Sequence, residues 1–246
     1  MPIQNRWSAA AAAEAVDRYG AEGISVDLAL RTYSARLLGA DPELVLHGGG
    51  NTSVKTTVSD LLGDPVEVLC VKGSGWDLAT IEPAGHPAVR LEPLRRLRNL
   101  QALSDEAMVS AQRQNLMDPQ APNPSVEALL HAYLPHKFVD HTHATALLAL
   151  ADQPDAEAVC REVFGDRVVL VPYVMPGFAL AKAAAEAYEL AAASAGADQA
   201  SAPIGMVLLK HGLFSFGASA EESYQRMIEL VALAEGALAA HPPQPQ

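Results

Sequence analysis

The segment that most constrains the fold is a histidine pair near the middle of the chain, at residues 139–144 with the sequence VDHTHA. In an extended strand, alternate side chains point to the same face, so His141 and His143 can direct both imidazoles at one point. A third histidine, His211, lies far downstream, where an apolar run ends at Gly212. Two local ligands with one distant ligand are typical of a catalytic metal site. We therefore expect the fold to bring two remote strand ends together.

The spacing of this pair alone does not decide between a metal site and two structural histidines, because such pairs also arise by chance. His211 strengthens the metal interpretation only if the fold brings it close. Asp140 alternates with the two histidines along the strand, so its side chain faces the other way and it is not a predicted ligand. The other histidines have no assigned role, and His86 is predicted to lie in a surface loop.

The charge and the cysteine content exclude several classes of protein. The 246 residues are half hydrophobic, and the formal net charge is -12. Such an acidic chain is a poor partner for nucleic acid or anionic membranes, which attract basic surfaces. The two cysteines, Cys70 and Cys160, lack CxxC spacing, and no apolar stretch is long enough to cross a bilayer. We expect a cytoplasmic protein with a sizeable core and with no nucleic-acid or membrane partner.

Hydrophobic periodicity predicts strands interleaved with helices along the chain. Helices are predicted near residues 8–19, 25–38, 91–103, 104–116, 124–134, 144–150, 178–193 and 219–240, and strands near residues 52–57, 66–71, 138–143, 166–171, 205–210 and 214–216. The arginines of the helix at 91–103 are predicted to form a solvated face. This order indicates one α/β domain over residues 1–240, followed by a disordered tail at 241–246.

Two glycine-rich loops can offer backbone N–H groups to a ligand. Three glycines at residues 48–50 precede the polar run Asn51, Thr52 and Ser53, and KGSG at residues 72–75 follows an apolar strand. Neither loop is a Walker A sequence or a GxGxxG fingerprint. The pattern alone leaves an anion cradle and a simple turn with an incidental lysine as open alternatives.

A third polar segment opens the helix predicted to run to about residue 134. Asn123 is the predicted N-cap and Pro124 the first helical residue, so the electropositive helix start can accept a phosphate. Glu127 falls in the first turn and His131 one turn later on the same face. The spacing alone favours Glu127 as a charge that complements the helix dipole.

Together, five motifs resemble the class II aldolase/adducin family. In chain order they are GNTS at residues 50–53, KGSG at 72–75, PSVE at 124–127, HTH at 141–143 and KHG at 210–212. The ordered set covers most of the chain and is far more specific than any single motif. The longer sequence stretches around these motifs are similar to the aldolase part of bifunctional rhamnulose-1-phosphate aldolase/dehydrogenase proteins. The chain contains no Rossmann fingerprint, so the dehydrogenase activity is not carried over.

The resemblance implies both a fold and a metal. The implied fold is a three-layer α/β domain, in which a central, mostly antiparallel sheet lies between helical layers. The implied metal is zinc held by His141, His143 and His211, for which manganese or cobalt could substitute. Family members are commonly fourfold-symmetric tetramers with the active site near a subunit interface, so we expect a homo-oligomer.

The resemblance also assigns roles that the spacing left open. It implies that Glu127 is the catalytic acid/base and that the glycine loops form a phosphate cradle. The residues expected to bind phosphate are Gly50, Asn51, Ser74, Gly75 and Ser125, with N–H groups of the helix at Pro124 and with Lys72 as an additional charge. In some relatives a tyrosine from a neighbouring subunit protonates the aldehyde side of the reaction. The candidates here are Tyr133, Tyr173, Tyr188 and Tyr224.

The implied reaction is cleavage of L-rhamnulose 1-phosphate to dihydroxyacetone phosphate and L-lactaldehyde. A divalent metal would act as a Lewis acid on the negative charge that develops in this retro-aldol reaction. Other reactions on the same scaffold are alternatives: fuculose 1-phosphate cleavage, 4-epimerisation of a pentulose 5-phosphate, decarboxylation or dehydration. A non-catalytic, adducin-like interaction domain is another alternative, and a separate dehydrogenase polypeptide is a candidate partner.

Overall fold

A computed structural model describes residues 2–196 and 202–240. Its centre is a seven-stranded sheet in the order β3-β2-β1-β4-β7-β6-β5. The strands are β1 (Asn51–Ser59), β2 (Pro65–Val71), β3 (Ala88–Arg90), β4 (Phe138–Thr142), β5 (Val168–Val171), β6 (Gly205–Leu208) and β7 (Gly212–Gly217). All neighbouring strands are antiparallel except the parallel pair of β5 and β6. The predicted single α/β domain with a mostly antiparallel sheet is therefore confirmed. The predicted tail at 241–246 lies outside the described residues.

Helices cover both faces of the sheet. Within the described residues they are α1 (Ala9–Gly20), α2 (Val26–Gly39), α3 (Leu91–Leu97), α4 (Asp105–Gln114), α5 (Ala128–Tyr133), α6 (Thr145–Ala151), α7 (Ala156–Phe164), α8 (Phe178–Ala195) and α9 (Ala220–Ala240). One core cluster joins the sheet to α3, α4, α5 and α8, and a second joins it to α2, α6, α7 and α9. Because both faces are covered, the side chains of β4 and β7 are buried along their whole length. None of the described helices is long and apolar enough to span a membrane.

The three central strands bring the polar motifs together at one end of these strands. In the antiparallel register, Asn51 at the start of β1 lies opposite His141 near the end of β4. Thr142 at the end of β4 lies opposite Leu213 at the start of β7. The end of β4 therefore lies between the first residues of its two neighbours, directly beside the turn that contains His211.

Serine caps start several helices as the sequence predicts. The Oγ atoms of Ser8, Ser25 and Ser104 each accept a hydrogen bond from a backbone N–H in the first turn of α1, α2 and α4. Ser219 Oγ accepts from Glu222 N at 3.1 Å at the start of α9. These local signals set helix starts because each cap satisfies a donor that has no partner within the helix.

The helix predicted to start at Pro124 is wrong. The segment before Glu127 is extended, and it forms a β-bridge between Pro124 and Gly73. Ser125 N donates to the Lys72 carbonyl at 3.0 Å, so this N–H is used by the loop pairing and cannot open a helix. Helix α5 begins only at Ala128, with Glu127 at the N-cap position. The predicted phosphate site at a helix start at Pro124 is therefore absent from the described structure.

Two elements were not predicted from the sequence. The short strand β3 lies within a segment predicted as irregular, and α7 lies in a segment to which no element was assigned. Helix α3 ends at Leu97, six residues before the predicted end. None of these differences affects the strands that meet beside His211.

Candidate metal centre

The structure brings the three predicted histidines together. His141 is the last-but-one residue of β4, His143 follows the strand, and His211 lies in the turn between β6 and β7. One ring nitrogen from each of the three lies within 4.8 Å of the others. The Nε2 atoms of His141 and His143 are 3.0 Å apart. The ring nitrogens thus converge on one region that a single metal ion could share.

Two glycines allow this close approach. A Cβ atom on Gly212 would lie 2.7 Å from the Thr142 carbonyl oxygen and 2.8 Å from His141 Cε1. A Cβ atom on Gly50 would lie 2.8 Å from the His141 carbonyl oxygen, and Gly50 has a positive φ of 61°. All three distances are below normal contact, so larger residues at these positions would push the strand ends apart. The glycines of the GNTS and KHG motifs are therefore required by packing around β4.

Hydrogen bonding and burial prepare His141 as a neutral ligand. Its Nδ1–H donates to the Leu213 carbonyl at 3.0 Å, which leaves the Nε2 lone pair directed at the cluster. The ring stacks on Phe214 with centroids 4.2 Å apart. Burial, and then the neighbouring His143, hold the pKa of His141 well below its usual value. Burial and the neighbouring imidazoles also lower the pKa of His211 to about 4. Neutral imidazole is the form that binds metal ions.

Glu127 lies against two of these histidines. Its Oε2 is 3.3 Å from His141 Nε2, and its Oε1 is 3.3 Å from His211 Nε2. The side chain is 7% exposed. Oε1 has no hydrogen-bond partner within the described residues, although it is buried. A buried carboxylate oxygen without a donor is costly unless a ligand or a cation satisfies it.

A chain of buried polar side chains leads away from Glu127. Asn51 Nδ2 donates to Glu127 Oε2 at 2.6 Å, and Asn51 Oδ1 is 2.5 Å from His131 Nε2. On the other side of the ring, His131 Nδ1 is 2.7 Å from Ser53 Oγ. His131 and Ser53 are fully buried. The sequence alone predicts no role for His131. The only indication that it could act with Glu127 is its position four residues later.

Backbone hydrogen bonds join the loop at 72–75 to β1 and to the segment before Glu127. Lys72 N donates to the Thr52 carbonyl at 3.0 Å, and Ser74 N donates to the Asn123 carbonyl at 2.8 Å. These bonds fix the loop at 72–75 against β1 and against the segment at 123–125. The backbone N–H groups of Ser74 and Ser125 already donate to carbonyl groups within these loops. Only the hydroxyl groups of these two serines can therefore donate to an anion.

Lys72 lies between the two loops. Its Nζ donates to the Gly48 carbonyl at 2.9 Å, and the residue is 6% exposed. Burial lowers its pKa. The ammonium group therefore connects the loop at 48–50 to the loop at 72–75.

His86 lies in a loop, as predicted, but the prediction that it is at the surface is wrong. His86 is 3% exposed, and its Nε2 lies 3.0 Å from Thr52 Oγ1. Burial, and then the positive charges of Arg31 and Lys72, lower its pKa to about 3. The irregular sequence around it gave no periodic signal of burial, because the surrounding residues form 3-10 turns and a short strand.

The four candidate tyrosines occupy different environments. Tyr188 OH bonds to His136 Nε2 at 2.7 Å, and Tyr224 OH accepts from Arg6 N at 3.1 Å. Tyr133 is buried, and its hydroxyl has no partner in the part of the chain that the structure describes. Tyr173 is exposed on the loop before α8. Within one chain, none of these positions identifies a proton donor for the site.

Comparison with known proteins gives a consistent set of relatives. The family model described as "Class II Aldolase and Adducin N-terminal domain" matches residues 31–238. A protein from Bacillus subtilis (strain 168), named "Uncharacterized oxidoreductase YuxG", is 38% identical over 203 residues. That match covers 82% of this chain but 28% of the relative, so the chain corresponds to less than a third of the longer protein.

Solved structures share the architecture. The N-terminal class II aldolase domain of a conserved protein from Thermoplasma acidophilum has a TM-score of 0.81 and 38% identity, and the match covers 95% of this chain and 98% of that one. A sugar-phosphate aldolase from Thermotoga maritima has a TM-score of 0.60 and 16% identity, and the match covers 88% of this chain and 97% of that one. At this lower identity the likeness concerns the fold alone.

Proposed function

The chain belongs to the class II aldolase/adducin family, and from this premise we propose that it is a zinc-dependent aldolase acting on a ketose 1-phosphate. The preferred substrate would be L-rhamnulose 1-phosphate, cleaved to dihydroxyacetone phosphate and L-lactaldehyde. The observation that carries the proposal is the cluster of His141, His143 and His211 beside the unpartnered carboxylate oxygen of Glu127. An interaction domain without catalysis would have no need of these four groups together.

The donor set fits a divalent metal. The neutral imidazoles of His141 and His211 supply no compensating charge to the carboxylate beside them, so a cation would satisfy both the ring nitrogens and Glu127 Oε1. His141, His143 and His211 would hold the ion, and three-histidine ligation favours zinc. When bound, the metal would supply Lewis-acid stabilisation of the negative charge that develops on the substrate.

Glu127 would carry the proton-transfer step. Asn51 holds its Oε2, so Oε1 is the oxygen left to face a substrate. In the cleavage direction, the hydroxyl group of the lactaldehyde half must lose a proton as the carbon–carbon bond breaks, and the dihydroxyacetone phosphate half must gain one at the carbon that loses this bond. A carboxyl group that lies at the metal site and is fixed by one hydrogen bond is suited to this acid–base exchange.

The glycine loops at 48–50 and 72–75, with the segment before Glu127, would bind the phosphate. Our proposed ligands remain Gly50, Asn51, Ser74, Gly75 and Ser125, with the serine hydroxyls as donors. Lys72 would add a positive charge from inside the cradle. Because this charge is buried, its attraction to a phosphate would be stronger than that of a surface lysine.

Two wider features belong to the same proposal. A homotetramer would complete the site if a tyrosine of a neighbouring subunit faces it, since no tyrosine of one chain is identified as the proton donor. A separate dehydrogenase would be a natural partner, because it could oxidise the aldehyde product. The oxidoreductase name of the longer relative supports this second idea.

The test is release of dihydroxyacetone phosphate from L-rhamnulose 1-phosphate by zinc-loaded protein, measured with and without a chelator. We expect release that stops on chelation and returns when zinc is added back. L-fuculose 1-phosphate in a parallel assay measures the preference between the two substrates, and we expect slower release from it.

Absence of release from zinc-loaded protein with both substrates would contradict the aldolase proposal. The epimerase, decarboxylase and dehydratase alternatives would then be tested with their own sugar phosphates. Protein that purifies with no stoichiometric metal and takes none up would contradict metal-dependent catalysis altogether.

A further inference from the structure

We propose that His131 is a positioning residue, which acts through Asn51 to hold Glu127 in its working orientation, and that Ser53 holds His131 in the required tautomer. The inference rests on the acid–base role of Glu127 proposed above. It concerns residues that do not touch the metal cluster and for which the motif resemblance implies no such role. Its basis is the direction of each hydrogen bond in the buried chain from Glu127 to Ser53.

The direction of the first bond follows from the carboxylate. An ionised carboxylate has no proton to donate, so the Asn51 atom 2.6 Å from Glu127 Oε2 is the amide nitrogen. The other end of the amide is then its carbonyl oxygen, and this oxygen faces His131 Nε2 at 2.5 Å. An Asn51 turned the other way would place its oxygen against the carboxylate and would repel it.

The direction of the second bond follows from the first. Because Asn51 Oδ1 can only accept, His131 must carry its proton on Nε2. A neutral imidazole has one N–H, so its Nδ1 is an acceptor, and Ser53 Oγ must donate to it across 2.7 Å. The chain from Ser53 to Glu127 therefore has one consistent direction, and every member has one arrangement that satisfies it.

The surroundings keep this arrangement from relaxing. Ser53 and His131 are fully buried, and Asn51 is 6% exposed, so water cannot replace a lost partner. Phe214 packs edge-on against His131 with centroids 5.4 Å apart, and the same ring stacks on His141. Burial holds the pKa of His131 well below its usual value, which is consistent with a single N–H.

The consequence for the site is the selection of one carboxylate oxygen. Asn51 holds Oε2, while Oε1 is left without a hydrogen-bond partner among the described residues. If His131 could not donate, the Asn51 amide would lose its preferred orientation and Glu127 would be free to rotate. The expected effect is mainly on turnover, because the metal is held by other groups and Asn51 is only one of the five proposed phosphate ligands.

The experiment compares kcat, KM and zinc content in His131→Leu, His131→Gln and Ser53→Ala, all as zinc-loaded full-length protein. In His131→Leu we expect kcat to fall by about 10- to 100-fold, the usual cost of losing a supporting hydrogen bond behind a site, with zinc content unchanged and with KM changed much less than kcat. In His131→Gln an amide N–H replaces Nε2–H, so most of kcat should return. Ser53→Ala should lose about three- to tenfold in kcat, because His131 can then change tautomer.

A matched control is His136→Gln. His136 is a half-buried histidine that contacts Tyr188 and Phe216 and is outside the chain of bonds. This variant should keep wild-type kcat. Equal loss in His131→Leu and His131→Gln, or a loss confined to KM, would overturn the positioning role. If His131→Leu does not fold, an unchanged kcat in Ser53→Ala would overturn it instead.

A second measurement separates this inference from the proposed reaction. Crystal structures of zinc-loaded wild-type protein and of His131→Leu, or of Ser53→Ala if His131→Leu does not fold, report the contact between Asn51 Nδ2 and Glu127 Oε2 without any substrate. We expect the contact in wild-type protein and its loss or disorder in the variant. If the wild type cleaves no ketose 1-phosphate, the reaction proposal fails, and this comparison still tests the positioning role. An unchanged contact in the variant would overturn the inference even if the enzyme is an active aldolase.

Discussion

Two buried polar clusters lie back to back across strand β4, and they differ in how their charge is balanced. On one face, Asp140 forms an ion pair with Arg31 at 2.5 Å and accepts a hydrogen bond from Ser223 Oγ at 2.5 Å. On the other face, Glu127 lies against His141 and His211, both held neutral by burial. The first cluster cancels its own charge, whereas the second carries one carboxylate with no cation among its members.

This difference separates a structural cluster from a ligand site. The ion pair balances its own charge within the fold, and is complete in this sense, although Arg31 Nε and Asp140 Oδ1 have no hydrogen-bond partner among the described residues. Breaking it is therefore expected to reduce stability. A buried carboxylate facing neutral ligand nitrogens is incomplete, and a bound cation would complete it. Because side chains alternate along a strand, the neighbouring residues Asp140 and His141 belong to the two different clusters on opposite faces of β4.

The largest expected effect comes from breaking the incomplete cluster at Glu127. In Glu127→Gln we expect kcat to fall by about 10²- to 10⁴-fold, because an amide cannot exchange the proton. The three histidines are unchanged, so zinc content should stay at the wild-type level. Steady-state kinetics and metal analysis on the same preparation measure both quantities.

His143→Ala is the matched variant for this prediction. It removes a ligand and leaves the carboxylate, so zinc and activity should be lost together. Wild-type turnover in either variant would contradict the assignment of the two roles.

The next effect concerns the complete cluster. Arg31→Met leaves Asp140 buried without its cation, and we expect a loss of about 3–5 kcal/mol in the free energy of unfolding. Arg31 also donates to Ser34 Oγ at 2.7 Å, which adds to the loss. Urea unfolding followed by circular dichroism measures the change, and kcat of the remaining folded protein should be close to wild type.

The double variant Arg31→Met with Asp140→Leu sharpens this comparison. Removing both charges should recover much of the stability, because neither charge is then left unpaired. If the double variant is less stable than Arg31→Met alone, the ion pair is not the main role of these residues.

A smaller effect, on zinc affinity, is expected from substitution of Gly212, whose backbone lies against the metal site. Gly212→Ala places a Cβ atom against the Thr142 carbonyl and the rings of His141 and His143. The strand end must shift, so we expect zinc affinity to fall by about 10- to 100-fold, as for other disturbances behind a metal site. Competition with a chelating dye measures this affinity.

Gly236→Ala is the control for this substitution, because a Cβ atom there would meet nothing within 4 Å. It should leave zinc affinity unchanged. Unchanged affinity in Gly212→Ala would show that the turn relaxes without moving the histidines.

The metal cluster was predictable because it depends on alternation and on order. The spacing of His141 and His143 fixes their common face in any strand, and an apolar run that stops before Gly212 places His211 near a strand end. The central strands β1, β4 and β7 were also predicted, within a few residues of their observed bounds. The helix starts at Ser25 and Ser104 follow from local capping chemistry.

The rest depends on contacts that are distant in sequence. Pro124 follows a good N-cap residue, yet pairing with Gly73 keeps the segment extended and delays the helix to Ala128. The hydrogen bonds that run from Ser53 through His131 and Asn51 to Glu127 form only because the strand register places Asn51 beside His141. Such effects come from partners about 50 to 90 residues away, which local propensity does not describe.

The smallest effect near neutral pH is expected from His86, which lies on the same face of the sheet as the complete cluster. Its pKa in the folded protein is about 3, whereas an unfolded histidine has its ordinary value near 6.5. Between these two values the unfolded chain binds a proton that the folded chain does not. Stability from this residue is therefore complete above about pH 6.5 and is lost as the pH falls.

His86→Phe removes this proton uptake and keeps a ring in the same space. We expect the unfolding free energy of the variant to fall less steeply between about pH 6.5 and pH 5, by up to about 1.4 kcal/mol per pH unit. Above pH 7 the variant should lose only the contact with Thr52 Oγ1. Parallel pH slopes for the two proteins would contradict a neutral, buried His86. A flatter slope would show that the face without metal ligands also contributes to acid sensitivity, through a group that the fold keeps uncharged.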